Sequence, residues 1–306
     1  MKLDPAAIRT GMRLEAHDVL PSTNGAALER ARAGERGPLW ITAGRQSAGR
    51  GRHGRHWVSE PGNLYATLLL TDPSPAERAA ELSFVAALSV HDAILDVAPP
   101  AFVAHGAVHG SASRVSIKWP NDLLLDGAKV AGVLIEGEAA AEGAAARRHD
   151  TVADDAPADR RRYAVAIGIG INCTHHPVGV AYPATDLATS GIAVSSDTLF
   201  SVLSRTMAVR LAQWAHGGGF ASVRSDWLAR AAALGGRLRA VLGDHVTEGT
   251  FETLDDSGRL VLRLADGGRK VIAAGDVLPL DAAGERKDRP VTAKTQGPTA
   301  IMVRPA

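Results

Sequence analysis

The stretch GRQSAGRGRHGRHW, residues 44–57, concentrates side chains that bind anions. It holds four arginines and two histidines among its glycines, and it contains no carboxylate. Glycine lets backbone N–H groups approach an anion closely, and the planar guanidinium of arginine suits phosphate or carboxylate. Composition alone leaves three interpretations open: an anion site, a solvated basic turn, or an arginine-glycine contact with nucleic acid.

The flanking sequence favours the anion site. The apolar runs PLWITAGRQ and NLYATLLLT predict one strand entering the basic segment and another leaving it. No GxxxxGK[ST] motif occurs, and GIGIN at residues 168–172 lacks the third glycine of a dinucleotide fingerprint. Neither of the standard phosphate loops therefore explains the segment.

Two further motifs carry candidate ligand groups. KWPND supplies Lys118, Asn121 and Asp122, and Lys129 precedes the apolar run VAGVLIE. Lysine can neutralise phosphate, and aspartate can hold Mg²⁺. A plain turn at Asn121-Asp122 and a solvated strand start at Lys129 explain the same residues equally well.

The three short polar residues of STN, at positions 22–24, suit a buried polar ligand group. They stand at the predicted start of a helix, where capping of the helix N-terminus explains them by itself. Capping is the stronger interpretation of this motif in isolation.

Composition limits the classes of function. The 306 residues are 45% hydrophobic with a formal net charge of +1, so no global field draws the chain to nucleic acid or membrane. The single cysteine, Cys173, excludes an internal disulfide framework. No signal-peptide core and no apolar run of about 18 to 20 residues is present. We therefore expect a soluble cytoplasmic protein.

Periodicity predicts an α+β fold with a second, smaller unit. Helices are expected at residues 22–33, 74–98 (capped by Ser74), 195–214 and 219–231, and Asp126-Gly127 predicts a hairpin between two strands. Small and charged residues predict a disordered insertion at 139–162. Short strands with turns from Gly236 onward predict a small SH3-like β-barrel, and residues 281–306 a flexible tail. The predicted domains are 1–235 and 236–280.

The order of these motifs resembles that of the biotin protein ligases that lack an N-terminal DNA-binding domain. The motifs are STN, the glycine-arginine segment, KWPND with KVAGVLIE, and GIGIN, followed by a small β-rich unit. The resemblance covers residues 18–280 except the insertion. It implies a mixed central sheet with flanking helices, like that of class II aminoacyl-tRNA synthetases. It also implies the activity: biotin and ATP give biotinoyl-5'-AMP and pyrophosphate, and the biotinoyl group passes to a lysine of a carrier domain.

The resemblance also assigns roles to residues. The catalytic residues it implies are Lys129, Arg52 and Arg50. The biotin-binding residues it implies are Ser22, Thr23, Asn24, Gln46, Gly49, Arg50, Gly51, Arg52 and Lys129. The nucleotide-binding residues it implies are Arg52, His53, Arg55, Trp57, Asn121, Asp122 and Asn172.

ATP and Mg²⁺ are the implied cofactors, with no ligands assigned to the metal. The implied partner is the biotin carboxyl carrier domain of a carboxylase, and an exposed sheet edge suits either that domain or a second protomer in a homodimer. Because the acyl-adenylate is labile to water, residues 48–56 are expected to be a lid that is mobile without ligand.

Two departures from the family pattern concern the same region. The family often has further basic residues where this chain has His53 and His56, so the loop charge is expected to fall as the imidazoles lose their protons. The insertion has no usable counterpart in the family.

Two rival functions remain. A lipoate protein ligase shares the fold and an acyl-adenylate but lacks the long arginine-rich pattern. A nucleic-acid-binding regulator of this family carries a winged helix-turn-helix; because only about twenty residues precede STN, we expect no such domain here.

Overall fold

The computed structural model describes residues 1–100, 102, 114–139, 163–180 and 182–280. The predicted tail at 281–306 and the predicted insertion, apart from Ala139 at a strand end, lie outside these residues. Among the described helices, none is both long and apolar enough to cross a membrane.

The larger unit is a seven-stranded sheet with helices on both faces. Its strands, in chain order, are β1 (Arg13–Leu20), β2 (Leu39–Gln46), β3 (Leu64–Thr71), β4 (Val115–Lys118), β5 (Asp122–Leu125), β6 (Ala128–Ala139) and β7 (Tyr163–Ile171). Their spatial order is β1-β2-β3-β7-β6-β5-β4, and every neighbouring pair except the parallel β1–β2 is antiparallel. This confirms the predicted α+β class and mixed central sheet.

The described residues include the helices α1 (Pro5–Arg9), α2 (Thr23–Arg32), α3 (Leu82–Val97), α4 (Ser196–Trp214) and α5 (Phe220–Leu228). Strand alternation divides the sheet residues between its two faces. Trp40 belongs to the large core that includes α3 and α4, whereas its neighbours Leu39 and Ile41 pack with Ala27 and Ala31 of α2. Thus α3 and α4 cover one face, and α2 covers part of the other.

One capping prediction is wrong. Helix α3 begins at Leu82, after a 3₁₀ segment at Ala76–Glu81, and Ser74 does not cap it. The Ser74 hydroxyl instead donates to the Pro75 carbonyl at 3.0 Å and lies 3.3 Å from the Tyr163 hydroxyl. A cap must accept from N–H groups of the first helical turn, and the 3₁₀ segment separates Ser74 from that turn.

The predicted Asp126-Gly127 hairpin is confirmed between β5 and β6. Both residues have positive φ, 50° and 83°, as a tight two-residue turn requires. The turn pairs Leu125 with Ala128, and beyond an irregularity in the register Asp122 of β5 pairs with Gly132 of β6.

The second unit is a five-stranded antiparallel sheet of β8 (Arg237–Leu242), β9 (His245–Leu254), β10 (Leu260–Arg263), β11 (Arg269–Ile272) and β12 (Asp276–Pro279). Its order is β11-β10-β9-β8-β12, with β11 and β12 at the two edges. It shares the large core through Phe251, Leu254 and Leu260.

An ion-pair cluster joins α3, α4 and α5 behind the sheet. The Arg210 guanidinium donates to Asp92 at 2.7 Å and to Asp226 at 2.6 Å. Burial tends to raise the pKa of Asp92, but His91 and Arg210 lower it below its usual value. For Asp226, hydrogen bonding from Gln213 and Arg210 outweighs burial and also lowers the pKa. These pairs stabilise the helical layer.

Arg210→Met should lower the free energy of unfolding at pH 7 by about 2 to 3 kcal/mol, because it removes the guanidinium that donates to both carboxylates. Arg205 lies on the same helix as Arg210, is more exposed, and pairs with Asp96. Arg205→Met should therefore lower the free energy of unfolding by less than about 1 kcal/mol. Lowered carboxylate pKa values stabilise the fold above the unfolded value and lose that effect as the pH falls through the folded pKa. Urea unfolding should therefore show the Arg210 difference shrinking below about pH 4; an unchanged difference at acid pH would contradict the assignment.

Candidate functional site

A cavity of about 1390 Å³ lies on the face of the large sheet that α2 leaves partly uncovered. The basic segment, β4 to β7 and the start of β12 all contribute to its wall. The motifs of the sequence, which lie up to about 150 residues apart in the chain, therefore meet in one place.

A polar group of side chains forms the wall at the start of α2. Ser22 caps the helix, its hydroxyl accepting from the Gly25 N–H at 3.3 Å. The side-chain oxygen Oε1 of Gln46 accepts from the Thr23 N–H at 2.8 Å and from the Thr23 hydroxyl at 3.1 Å. The side-chain nitrogen Nε2 of Gln46 donates to the Ser59 hydroxyl at 3.1 Å. Both the capping interpretation and the cavity interpretation of STN are thus compatible with the same residues.

Asn24 is 4% exposed and has a fixed amide orientation. Its Oδ1 accepts from the Thr67 hydroxyl at 2.7 Å, and its Nδ2 donates to Glu136 at 2.7 Å and to the Leu134 carbonyl at 3.3 Å. Both amide hydrogens are used, whereas Oδ1 keeps a second lone pair. Asn24 is therefore prepared to accept a hydrogen bond from a ligand N–H.

The glycines of GIGIN make room for these side chains. A Cβ on Gly168 would overlap the Asn24 amide, and a Cβ on Gly170 would lie 2.7 Å from the Trp57 ring. The motif thus works by close approach of side chains to β7, in contrast to the phosphate-binding role of a dinucleotide fingerprint.

The basic segment folds back on itself as a small hairpin. The Gly51 N–H donates to the Arg55 carbonyl at 2.8 Å, and the Trp57 N–H donates to the Gly49 carbonyl at 2.9 Å. His53 and Gly54 at its tip have positive φ, 56° and 70°. For histidine this left-handed backbone is unfavourable, so the tip is held by the contacts on either side.

Carboxylates from other strands compensate the arginines of this hairpin. Arg50 lies 3.1 Å from Glu136 of β6, and Arg52 donates to the Asn121 Oδ1 at 3.2 Å. Arg55 pairs with Asp276 of β12. Burial tends to raise the pKa of Asp276, but Arg55, together with Arg52, lowers it below its usual value, and Asp276 in turn raises the pKa of Arg55.

Lys129 projects into the cavity between charge and aromatic rings. Its Nζ lies 2.7 Å from Asp122 Oδ1 and 5.3 and 5.5 Å from the ring centres of Trp57 and Tyr182. The side chain is 18% exposed. The position of Lys129 is set by its backbone, which donates to Pro183 and accepts from Thr185.

Most of the residues implied by the family resemblance line this cavity. They are Ser22, Thr23, Asn24, Gln46, Arg50, Gly51, Arg52, Arg55, Trp57, Asn121, Asp122 and Lys129. Three do not: Gly49 lies behind the hairpin against the Trp57 carbonyl, His53 is at the exposed tip, and Asn172 is buried with its amide on the Thr185 carbonyl.

Sequence reasoning missed three polar residues of the site. Thr67 stands on the apolar strand β3 and hydrogen-bonds both Thr23 and Asn24, while Glu136 and Asp276 compensate the arginines. The threonine in the middle of NLYATLLLT and the glutamate that ends KVAGVLIE could have indicated two of these residues. No local signal in the sequence around Asp276 connects it to a segment more than 200 residues earlier.

The arrangement suits a ligand with a neutral polar end and an anionic end. Arg50, Lys129 and Arg55 are held by carboxylates that an anionic ligand can replace, and the Trp57 indole N–H is buried without a hydrogen-bond partner among the described residues. Lys118 lines the cavity and has no ion-pair partner within the described chain. Such a cavity can bring two anions together and offset their repulsion.

Comparison with known proteins agrees with this geometry. Residues 17–146 match the Biotin/lipoate A/B protein ligase family, and residues 234–278 match the Biotin protein ligase C terminal domain. A biotin--[acetyl-CoA-carboxylase] ligase of Paracoccus denitrificans is 40% identical over 84% of this chain and 96% of its own length. One of Mycobacterium tuberculosis is 32% identical over 85% of this chain and 86% of its own length.

A solved structure of the biotin protein ligase from Aquifex aeolicus in complex with biotin and ATP has a similar fold. It superposes with a TM-score of 0.62 at 23% identity, covering 87% of this chain and 97% of that one.

The close approach at Gly168 gives a test of the polar wall. Gly168→Ala should lower the free energy of unfolding by about 1 to 3 kcal/mol, because the new methyl group displaces an amide held by three hydrogen bonds. Gly137→Ala on β6, where the nearest atom to the new Cβ is 3.8 Å away, should change it by less than about 0.5 kcal/mol. Equal urea midpoints for the two variants would show that Asn24 is not fixed as described.

Proposed function

The chain belongs to the biotin protein ligase family, and from this premise we infer that it is a biotin--[biotin carboxyl-carrier protein] ligase. It activates biotin with ATP as biotinoyl-5'-AMP and transfers the biotinoyl group to a carrier-domain lysine. One observation carries the inference at the site: a single cavity holds both a fixed neutral polar wall around Asn24 and a cationic wall of Lys129, Arg50 and Arg52.

The first step joins two anions. A carboxylate oxygen of biotin attacks the α-phosphorus of ATP; the new O–P bond forms as the bond to the pyrophosphate oxygen breaks. Lys129, Arg50 and Arg52 offset the repulsion and the charge that develops at phosphorus. To do so, Lys129 exchanges Asp122 for the ligand, and Arg50 keeps nitrogens free beside its contact with Glu136.

The second step is acyl transfer. The neutral amine of the carrier lysine attacks the acyl carbon, AMP leaves with the electron pair of the broken C–O bond, and the nitrogen releases one proton to solvent as the amide forms. The same cations stabilise the leaving phosphate.

We assign the site residues on this basis. The ureido ring of biotin is placed against Ser22, Thr23, Asn24 and Gln46, and its carboxylate against the Arg50-Gly51-Arg52 backbone and Lys129. The nucleotide is placed near Trp57, whose buried indole N–H has no hydrogen-bond partner in the part of the chain that the structure describes, and near Arg52, Arg55, Asn121 and Asp122. The roles of Gly49, His53 and Asn172 are indirect, since these residues do not line the cavity.

Mg²⁺ fits the donor set in a limited way. The described residues hold no cluster of three or more acidic, histidine or cysteine side chains, which agrees with a metal carried mainly by the ATP phosphates and waters. Asp122, the carboxylate beside Lys129, would complete the coordination of the Mg²⁺ ion. When bound, the metal neutralises polyphosphate charge.

The carrier domain of a carboxylase is the proposed protein partner, supported by the function of the curated relatives. A homodimer and a cytoplasmic location stay predictions. The free, buried Cys173 suits a reducing compartment.

The proposed domain boundary stays at residues 235 and 236. The five-stranded sheet from Arg237 is proposed to be an SH3-like domain, for which the match of residues 234–278 to the biotin ligase C-terminal family is the support.

Incubation with biotin, ATP, Mg²⁺ and a carrier domain should add one biotinyl mass to the carrier. Lys129→Ala and Arg52→Ala should each slow adenylate formation by about 10²-fold or more, because each removes a cation from the reacting phosphate. Lys270→Ala, on the exposed face of β11, serves as the matched control. No mass increment with the unaltered chain would reject the activity, and wild-type rates in both cavity variants would reject the two assigned roles.

Biotin with ATP should slow tryptic cleavage after Arg50, Arg52 and Arg55, because an anionic ligand bridges these side chains to the sheet and closes the lid. Cleavage after Arg36, in the exposed connection between α2 and β2, should be unaffected. The measurement is the time course of each peptide by mass spectrometry. Equal rates in the lid with and without ligand would count against closure.

A further inference from the structure

Glu136 occupies a position that the chemistry described so far does not use. Strand alternation puts it on the same face of β6 as Gly132 and Leu134, which line the cavity. Its carboxylate accepts from Asn24 Nδ2 at 2.7 Å, and both of its oxygens lie 3.1 Å from the terminal nitrogen Nη2 of Arg50. One carboxylate thus contacts both the polar wall and the hairpin.

We propose that Glu136 is a positioning residue that couples the biotin-ring end of the cavity to the basic hairpin, by holding Asn24 and Arg50 on one carboxylate. The inference rests on the proposed function and deepens it. Glu136 does not touch the reacting atoms; it acts through the two residues that face the ligand.

The contact to Asn24 requires an acceptor. An ionised carboxylate has no hydrogen to donate, so it selects the amide orientation in which Nδ2 faces Glu136. Oδ1 is then directed to Thr67 and retains one lone pair for a ligand N–H. A glutamine at this position can donate as well as accept, so only the longer contact of Nδ2 to the Leu134 carbonyl, at 3.3 Å, still selects this orientation.

The contact to Arg50 requires charge. Only one guanidinium nitrogen of Arg50 meets Glu136, and the side chain is 48% exposed. The pair therefore fixes the direction of Arg50 while its other N–H groups remain available to the activated acyl phosphate. Through this pair, order at Asn24 favours order in the hairpin.

The chain provides a matched control at Glu138. It lies two residues further along β6 on the same face, with a side-chain exposure of 28% against 27% for Glu136. Glu138 pairs with Arg32 of α2 at 2.7 Å, whereas Glu136 contacts Asn24 and Arg50. Substitution of either glutamate by glutamine removes one carboxylate from one strand.

The test measures release of biotinoyl-5'-AMP from the full chain by rapid dilution, together with the KM for biotin. Glu136→Gln should raise both about tenfold, with an unchanged melting temperature, whereas Glu138→Gln should change neither. In the Arg50→Ala background, Glu136→Gln should have a smaller effect than in the wild-type background, because part of its action passes through Arg50.

Wild-type release and KM in Glu136→Gln would overturn the proposal. Equal effects of Glu136→Gln in the two backgrounds, or equal changes in Glu138→Gln, would overturn the coupling as well. Failure of the unaltered chain to form biotinoyl-5'-AMP at all is a separate result, because it rejects the proposed function before Glu136 is tested.

Discussion

Charge compensation across the cavity is the interaction on which the site depends. Arg50, Arg55 and Lys129 face one another with partners contributed by three different strands: Glu136 from β6, Asp276 from β12 and Asp122 from β5. Without those carboxylates the cations would repel one another across a partly desolvated space. The pairing holds the hairpin near the sheet, yet each pair is exposed enough for an anionic substrate to replace it.

The sheet makes this arrangement possible by leaving part of one face uncovered. Helices α3 and α4 build the large core on the opposite face, while α2 packs only over the half of the sheet around Ile41 and Ala166. The remaining surface of β5, β6 and β7 becomes a floor for ligands. Because Gly168 and Gly170 have no Cβ, Asn24 and Trp57 can lie directly against the backbone of β7.

The second sheet contributes residues to the site. Asp276 begins β12 and contacts Arg55, and the Gly275 carbonyl accepts from Arg52 at 3.4 Å. The pKa of Asp276 lies below its usual value because these arginines face it. Any movement of the second sheet therefore alters the charge environment of the hairpin. This dependence gives a physical reason for the two units to occur together.

The sequence by itself determined the elements and the chemical character of the site. The apolar runs PLWITAGRQ and NLYATLLLT predicted β2 and β3, which are buried along most of their length. Asp126-Gly127 predicted the hairpin between β5 and β6 through a local requirement for positive φ. The glycine-arginine segment indicated an anion site because its basic residues lie between two predicted strands. Only the tertiary structure shows which carboxylates pair with those arginines and that Thr67 orients Asn24. It also shows that the Asn172 amide donates to the Thr185 carbonyl without lining the cavity, and that β11 and β12 are the edge strands of the second sheet. Those contacts join residues far apart in the chain. A pattern of neighbouring residues does not specify which distant side chain will lie within hydrogen-bonding distance.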